Sequence, residues 1–218
     1  MIPDIMNRLV ITGSDTDIGK TTFSAALMLG LEDAGANPHY WKPIQSGITE
    51  GTDTKTVQNL TGLPDERFLP ENYVFTKPLS PHRAAELDDT KINIEDLNIP
   101  TCDGTLIIEG AGGLMVPMTR EKLQIDLYKD WQIPVVLCAH TKLGTINHTL
   151  LSIEALKSRN IPLKGLVFIG NDNPDNVETI AAFSKTDILG IMPRLEQLTR
   201  NNLMQAFATH FNAQDFIS

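Results

Sequence analysis

The sequence is poor in the residue types that several common kinds of protein require. Its 218 residues include only two cysteines, Cys102 and Cys138, which form neither a CxxC pair nor a disulfide framework. Cys138 lies inside an apolar run, so we expect it to be a small buried hydrophobic residue. The five histidines show no HExxH or comparable spacing, and there is no Gly-x-Ser-x-Gly segment. Zinc chemistry and serine-hydrolase chemistry are therefore not indicated.

Positive charge and long apolar runs are also scarce. The formal net charge is −9, which argues against the basic patch of a nucleic-acid-binding protein. No segment approaches the ~20 apolar residues of a membrane-spanning helix. The N-terminal stretch lacks the pattern of a signal peptide. We therefore expect no nucleic-acid partner, no membrane partner and a cytoplasmic location. With 41% hydrophobic and 21% charged residues, the composition is typical of one globular domain over residues 1–218.

Short apolar runs alternate with segments of helical periodicity along the chain. This alternation predicts an α/β fold with a mainly parallel central sheet between two layers of helices. The expected strands are 8–12, 39–44, 105–108, 134–139, 163–169 and 188–191. The expected helices are 20–34, 125–132, 145–159, 176–184 and 196–211. The segment 48–101 has no strong strand pattern, and we interpret it as an elaborated connection with short helices. Ligands of such sheets bind at the carboxyl ends of the strands.

A phosphate-binding loop is indicated between the first strand and the first helix, in the segment TGSDTDIGKTT (12–22). The usual pattern is G-x-x-x-x-G-K-[ST], whereas five residues separate Gly13 from Gly19 here. Lys20 is expected to reach the outer phosphates, and Thr21 to offer its hydroxyl to Mg²⁺. The longer loop carries Asp15 and Asp17. Since carboxylates repel phosphate, we expect them to face a second, cationic ligand.

Three further residues follow predicted strands and are candidates for chemistry. Lys42 is either a solvated surface charge or a group that stabilises a transferring phosphoryl group. Glu109 ends the strand LIIE and fits the Mg²⁺-holding carboxylate of a nucleotide-hydrolysing site. The glycines after it suggest close approach of the backbone to a ligand. Asp53 is open between two roles, a helix N-cap and a metal ligand.

Six segments, in this order, resemble the dethiobiotin synthetase family from about residue 9 to residue 195. They are TGSDTDIGKTT, KPIQSG, SPHRAA, EGAGGLMVP, KLGTINHTLL and the late GND. The resemblance implies a P-loop NTPase-like fold and a homodimer. It also implies that ATP, CO₂ and 7,8-diaminopelargonate are converted to dethiobiotin, ADP and phosphate through a carbamate and a carbamic–phosphoric anhydride.

The resemblance also implies roles for individual residues. Lys20 and Lys42 would be catalytic, and Thr21, Asp53 and Glu109 would hold Mg²⁺. The remaining residues expected to bind ATP are Asp17, Ile18, Gly19, Thr22, Gly110, Ala111, Gly112, Asn171, Asp172, Pro193, Arg194 and Leu195. The residues expected to bind the diamine substrate are Thr16, Asp17, Ser46, Leu143, Gly144, Thr145, Ile146 and Asn147. The last five would act at a helix N-terminus of the partner subunit, where an anion is favoured.

Some positions depart from the pattern of the dethiobiotin synthetase family. Ser14, Asp17 and Ile18 stand where threonine, glutamate and valine are usual, and Arg194 adds a charge near the site expected for the nucleotide base.

Two other functions are alternatives to the synthetase. A nucleotide-dependent dimerisation switch of the partition or septum-positioning type is the main one. Such a protein typically has an extra lysine near position 14 or 15. A glutamine-dependent amide ligase of the cobyrinate type would need a further domain with a nucleophilic cysteine.

Overall fold

The computed structural model describes residues 8–49, 51–170 and 173–217. The strands are β1 (Arg8–Gly13), β2 (His39–Trp41), β3 (Ile44–Ser46), β4 (Phe68–Leu69), β5 (Tyr73–Phe75), β6 (Leu106–Gly113), β7 (Val135–His140), β8 (Leu163–Ile169) and β9 (Ile188–Met192). The helices are α1 (Lys20–Asp33), α2 (Asp53–Thr61), α3 (Pro81–Leu87), α4 (Gln124–Trp131), α5 (Thr145–Lys157), α6 (Pro174–Ser184), α7 (Arg200–His210) and α8 (Gln214–Ile217). Single 3₁₀ turns occur at Asp65–Arg67 and Ile94–Asp96.

Seven strands form the central sheet in the order β4-β2-β6-β1-β7-β8-β9, and every neighbouring pair is parallel. The predicted α/β fold with a parallel central sheet is confirmed. Helices cover both faces, so successive residues of a strand enter opposite cores. Leu9 and Ile11 of β1 pack in a cluster with α1 and α7, whereas Val10 packs in the cluster that contains residues of α3 and α4.

All six predicted strands exist. The bounds of 163–169 are exact, and those of 8–12, 134–139 and 188–191 differ by one residue at one or both ends, whereas the other two strands differ more. The predicted strand 39–44 is two strands, because β2 ends at Trp41 and β3 pairs instead with β5 in a separate two-stranded sheet. Pro43 lies at the break, where it has no N–H to contribute to a ladder. The strand predicted at 105–108 begins at Leu106 and continues through the glycines to Gly113, which pairs with Gly13 of β1.

The connection between β3 and β6 is more ordered than its sequence pattern predicts. It contains the predicted short helices, α2 and α3, but also β4 at the edge of the central sheet and β5 beside β3. Strands of two or three residues are too short for periodicity to reveal. The last long helix also differs from its predicted start at 196, since α7 begins at Arg200 after Thr199, whose hydroxyl accepts from the N–H of Asn202.

The order of the strands decides which loops meet. The neighbours β2, β6 and β1 point their carboxyl ends to one edge of the sheet, so Lys42, Glu109 and the loop after Gly13 converge there. Of the helices in the described part of the chain, none is both long enough and apolar enough to cross a membrane.

Candidate active site

The loop between β1 and α1 is held in an unusual backbone conformation by its glycine and aspartate residues. Gly19 has φ 102° and Asp17 has φ 53°, both in the left-handed region. A Cβ on Gly13 would come within 2.7 Å of the backbone oxygen of Asp15, so the loop's close turn requires glycine there. Ile18 is 1% exposed and anchors the loop in the core. The N-terminus of α1 is thereby presented to an anion.

A cavity of about 760 Å³ opens beside this loop at the carboxyl edge of the sheet. This volume suits a nucleotide-sized ligand. Its walls come from the loop, from the residues that follow β2, from the 48–101 connection and from the end of β6. They include these predicted site residues: Thr16, Asp17, Ile18, Gly19, Lys20, Thr21, Thr22, Lys42, Ser46, Asp53, Glu109, Ala111 and Gly112. The structure therefore brings together most of the residues that the sequence singled out.

The floor of the cavity is a compact cluster of opposite charges. The Lys42 Nζ atom donates to Asp53 Oδ2 and, at 3.1 Å, to Glu109 Oε1. Thr21 Oγ1 donates to the same Glu109 oxygen at 2.9 Å. Lys42 and Glu109 are almost fully buried, whereas 31% of the Asp53 side chain is exposed. Of the two roles that the sequence left open for Lys42, the solvated surface charge is therefore wrong.

The oxygen atoms of this cluster fit a magnesium ion. Two carboxylates contact the Lys42 ammonium, and the Thr21 hydroxyl is bonded to one of these carboxylates. Hard oxygen donors of this kind are the ligands that Mg²⁺ prefers. Across the described ranges, no group of three or more His, Cys, Asp or Glu side chains is arranged to hold a metal. A nucleotide-bound Mg²⁺ needs only one or two carboxylates, since phosphates and water complete its shell.

The second oxygen of Glu109 has its own pair of donors. Tyr40 OH donates to Glu109 Oε2 at 2.9 Å, and Ser24 Oγ donates to it at 3.0 Å. Both donors are completely buried. Burial raises the pKa of Tyr40 well above its ordinary value, and the charge of Glu109 raises it further. The phenol therefore keeps its proton and remains a donor.

The two lysines of the cavity differ in their electrostatic surroundings. Burial lowers the pKa of Lys20, and the attraction of Glu109 does not restore it. Burial acts in the same direction on Lys42, but the charges of Glu109 and Asp53 outweigh it and raise the pKa of Lys42. Lys20 is therefore the easier of the two lysines to deprotonate.

Two buried glutamines support the cavity, and the sequence analysis did not identify them. Gln45 accepts from the N–H of Asp53 at 3.0 Å and donates to the Gly47 carbonyl at 3.0 Å. Gln124 accepts from the N–H of Ala111 at 2.7 Å and donates to the Gly113 carbonyl at 3.0 Å. Gln45 lies within the KPIQSG segment, which is a signal that could have identified it, whereas no local pattern marks Gln124. Residues 78–81, within the same region as the SPHRAA segment, also line the cavity.

The glycines after Glu109 have different roles. A Cβ on Gly110 would come within 2.0 Å of Tyr128 OH, so this glycine is explained by packing and lies outside the cavity wall. The expectation that it contacts ATP has no support in this geometry. Gly112 has φ 68° and lines the cavity, and a Cβ there would come within 3.3 Å of Thr16 Oγ1. Asp53 is the first residue of α2, and its possible role as the N-cap belongs to Thr52 instead.

Several predicted site residues lie away from the cavity of this chain. Pro193, Arg194 and Leu195 follow β9 and do not line it, and Leu195 packs against the core. Asn171 and Asp172 lie outside the described residues. A Cβ on Gly19 would touch Ile169, the last residue of β8, which places that end of the strand beside the loop.

The segment 143–147 likewise does not line the cavity. Gly144 is the N-cap of α5, with φ 92°. Leu143 is fully exposed and Asn147 is exposed, whereas Thr145 is buried and donates to the His140 carbonyl. Ile146 packs against the core. Within one chain, this segment makes no contribution to the cavity wall.

A second cavity, of about 390 Å³, adjoins the first. Thr16 and Val116 line both cavities, while Asp15 lines only the second. Met115 and Leu151 give this second cavity an apolar wall and are more than half exposed. Thr16 thus stands on the side of the phosphate-binding loop that leads toward an apolar surface, whereas Asp17 lines only the first cavity.

The chain is similar in sequence to enzymes of one activity. A protein family described as an AAA domain matches residues 7–202. An ATP-dependent dethiobiotin synthetase BioD of Rhodopseudomonas palustris (strain BisB18) is 50% identical over 211 residues, which cover 97% of this chain and 99% of that protein. The protein of the same name from Agrobacterium fabrum is 52% identical over 210 residues, covering 96% and 97%.

Solved structures of more distant proteins share the fold. The MinC:MinD cell division protein complex of Aquifex aeolicus matches with a TM-score of 0.57 and 15% identity, over 92% of this chain and 86% of that chain. The septum site-determining protein MinD of Pyrococcus horikoshii, complexed with Mg-ADP, matches with a TM-score of 0.56 and 11% identity, over 96% and 88%. These likenesses establish the P-loop NTPase-like fold alone.

Proposed function

Because the chain belongs to the ATP-dependent dethiobiotin synthetase family, we propose that it forms dethiobiotin from ATP, CO₂ and 7,8-diaminopelargonate in the cavity beside the phosphate-binding loop. The formation of dethiobiotin is a step of biotin biosynthesis. We take residues 1–218 as a single catalytic domain, and the cytoplasmic location expected from the sequence stays a prediction.

In this proposal, ATP binds with its phosphates around Gly19 and the start of α1. Lys20 contacts the outer phosphates, and Lys42 moves from its carboxylate partners toward the γ-phosphoryl group. Both lysines then neutralise charge that develops during phosphoryl transfer, which is where a P-loop enzyme gains most of its rate. Thr21, Asp53 and Glu109 would hold Mg²⁺, which would supply positive charge that offsets the charge of the phosphates.

The diamine binds on the acidic side of the loop, next to Thr16 and Asp17, with Ser46 across the cavity. Its alkyl chain then lies toward the second cavity, against Val116 and Met115. One amine takes up CO₂ as a carbamate and loses a proton. A carbamate oxygen attacks the γ-phosphorus, and ADP leaves. The second amine then attacks the carbonyl carbon of the anhydride, the ureido ring closes, and phosphate leaves with a proton released to solvent.

The position of Thr16 is the observation that carries this assignment. It lines both the phosphate-binding cavity and the apolar cavity beside it, so a single substrate can reach from the γ-phosphate to an apolar wall. An ATPase that only switches conformation needs no second cavity for a small molecule at this point.

We also propose that the enzyme is a homodimer whose interface includes 143–147. Leu143 is completely exposed, and Leu151 and Met115, which line the second cavity, are more than half exposed, so apolar surface is left uncovered on this chain. The N-terminus of α5 in one subunit would then bind the substrate carboxylate in the other. Sedimentation should give a dimer, and a fully active monomer would contradict the proposal.

A direct assay tests the proposed activity. Purified protein is incubated with Mg-ATP, bicarbonate and 7,8-diaminopelargonate, and both phosphate and the ureido product are measured, the product by mass spectrometry. We expect product and phosphate in equal amounts, with phosphate release dependent on the diamine. Phosphate release that is indifferent to the diamine would instead favour the dimerisation switch.

A further inference from the structure

Glu109 is a buried carboxylate whose two oxygen atoms face different kinds of partner. Oε1 lies at the cavity, where it accepts from Thr21 and from the Lys42 ammonium. Oε2 points into the core, where it accepts from Tyr40 and Ser24. Only 1% of the residue is exposed. A carboxylate this deeply buried needs hydrogen-bond donors from the protein, because burial removes its contacts with water.

The donors to Oε2 come from two different elements. Tyr40 is in the middle of β2, and Ser24 is in the second turn of α1. Their bonds of 2.9 and 3.0 Å therefore fix the rotation of the Glu109 side chain from two directions. With Oε2 occupied by two neutral hydroxyls, Oε1 is the oxygen left for a cation in the cavity.

We propose that Tyr40 and Ser24 are positioning residues that orient Glu109 so that its Oε1 atom binds the metal of the metal–nucleotide complex. The proposal rests on the nucleotide site of the proposed function. Neither hydroxyl lines the cavity, so neither is expected to touch ATP or metal directly. Groups that hydrogen-bond to a metal ligand in this way orient it and tune its affinity.

The structure offers a matched control for the tyrosine. Tyr128 is also completely buried, and its hydroxyl donates at 3.3 Å to Thr12 Oγ1 and not to Glu109. Tyr40→Phe and Tyr128→Phe each remove one hydroxyl from the core. Only the first of the two changes the donors to Glu109. Ser24→Ala is a second, smaller probe, since alanine preserves the helix that contains it.

The experiment measures metal binding separately from nucleotide binding. Mn²⁺ serves as the probe ion, and its dissociation constant is measured by electron paramagnetic resonance with the full-length protein and a non-hydrolysable ATP analogue. The affinity of the analogue alone is measured in EDTA. We expect Tyr40→Phe and Ser24→Ala each to weaken Mn²⁺ binding roughly 10-fold, the lower end of the range for loss of such a partner. Affinity in EDTA should change less than about twofold, and the double variant should be weaker than either single variant.

Two results would overturn the proposal. One is a Mn²⁺ dissociation constant for Tyr40→Phe and Ser24→Ala that matches the value for Tyr128→Phe. The other is an equal loss of nucleotide affinity in EDTA, which would indicate general distortion of the loop. If Tyr40→Phe does not fold, Ser24→Ala keeps the test decisive. Neither measurement requires dethiobiotin formation, so a failure here is distinguishable from a failure of the proposed function.

Discussion

Replacing Lys42 with methionine is the sharpest test of the charge cluster. The Lys42 ammonium is the only cation that the described structure places in contact with both Asp53 and Glu109. Methionine keeps most of the length and apolar volume of the lysine stem, so packing changes little. The variant therefore leaves two carboxylates close together without their shared counter-charge, one of them fully buried.

The size of the effect follows from burial and distance. Two unit charges 3.1 Å apart interact by about 5 kcal/mol at an effective dielectric constant of 20. Removing one partner of a buried ion pair costs about 3–5 kcal/mol in measured cases. Asp53 is 31% exposed, so water can partly solvate it. We therefore expect Lys42→Met to lower the free energy of unfolding by about 3 kcal/mol in EDTA.

Urea unfolding in EDTA measures this loss, with Lys55→Met as the control. Lys55 is exposed on α2, two residues beyond Asp53, and its ammonium contacts only Gln58 among the hydrogen bonds of the described chain. The control should change the free energy of unfolding by less than about 0.5 kcal/mol. Mg²⁺ with ADP should restore part of the loss in Lys42→Met, because the metal returns positive charge to the carboxylates. A loss below about 1 kcal/mol in EDTA would refute the reasoning.

Three further predictions concern the loop, the lysine pKa and the helix packing. Asp17→Asn should raise the KM for the diamine about 10-fold or more and leave the KM for ATP nearly unchanged. The reason is that asparagine tolerates the φ of 53° but removes the negative charge. An unchanged KM for the diamine would contradict the role of Asp17 in binding the diamine. Since the pKa of Lys20 is lowered, equilibrium titration should show ATP affinity falling with rising pH before pH 10.5 is reached, and Lys20→Met should show no such fall. Gly30→Ala should lower the free energy of unfolding by about 1–3 kcal/mol in a urea titration, because its Cβ would come within 2.1 Å of Phe207; a neutral change would show that α7 can shift.

The parts of this protein that the sequence predicted well depend on local pattern. The loop 12–22 was identifiable because glycine, lysine and threonine at fixed spacing follow an apolar strand and precede a helix. Glu109 was identifiable because it ends a fully apolar run. The break after Trp41 and the strands β4 and β5 were not predicted, because runs of two or three residues carry no period.

Local pattern also could not distinguish the roles of the two glycines Gly110 and Gly112. The sequence marked Gly110 and Gly112 alike as places where a ligand approaches the backbone. The structure separates them, since Tyr128 from α4 fills the space above Gly110 while Gly112 opens to the cavity. The contact with Tyr128 joins residues 18 positions apart, which no local pattern records.

By itself, the sequence determined the alternation of strands and helices and the phosphate-binding loop. It also determined which charged and hydroxyl residues of these segments are candidates for catalysis and metal binding. These are properties of short segments, where spacing and backbone preference act between near neighbours. Only the tertiary structure decided that β6 lies between β1 and β2, and therefore that Glu109 meets Thr21, Lys42 and Tyr40. Strand order is set by the packing of helices on both faces of the sheet, and the charge cluster exists only because that packing buries these side chains together.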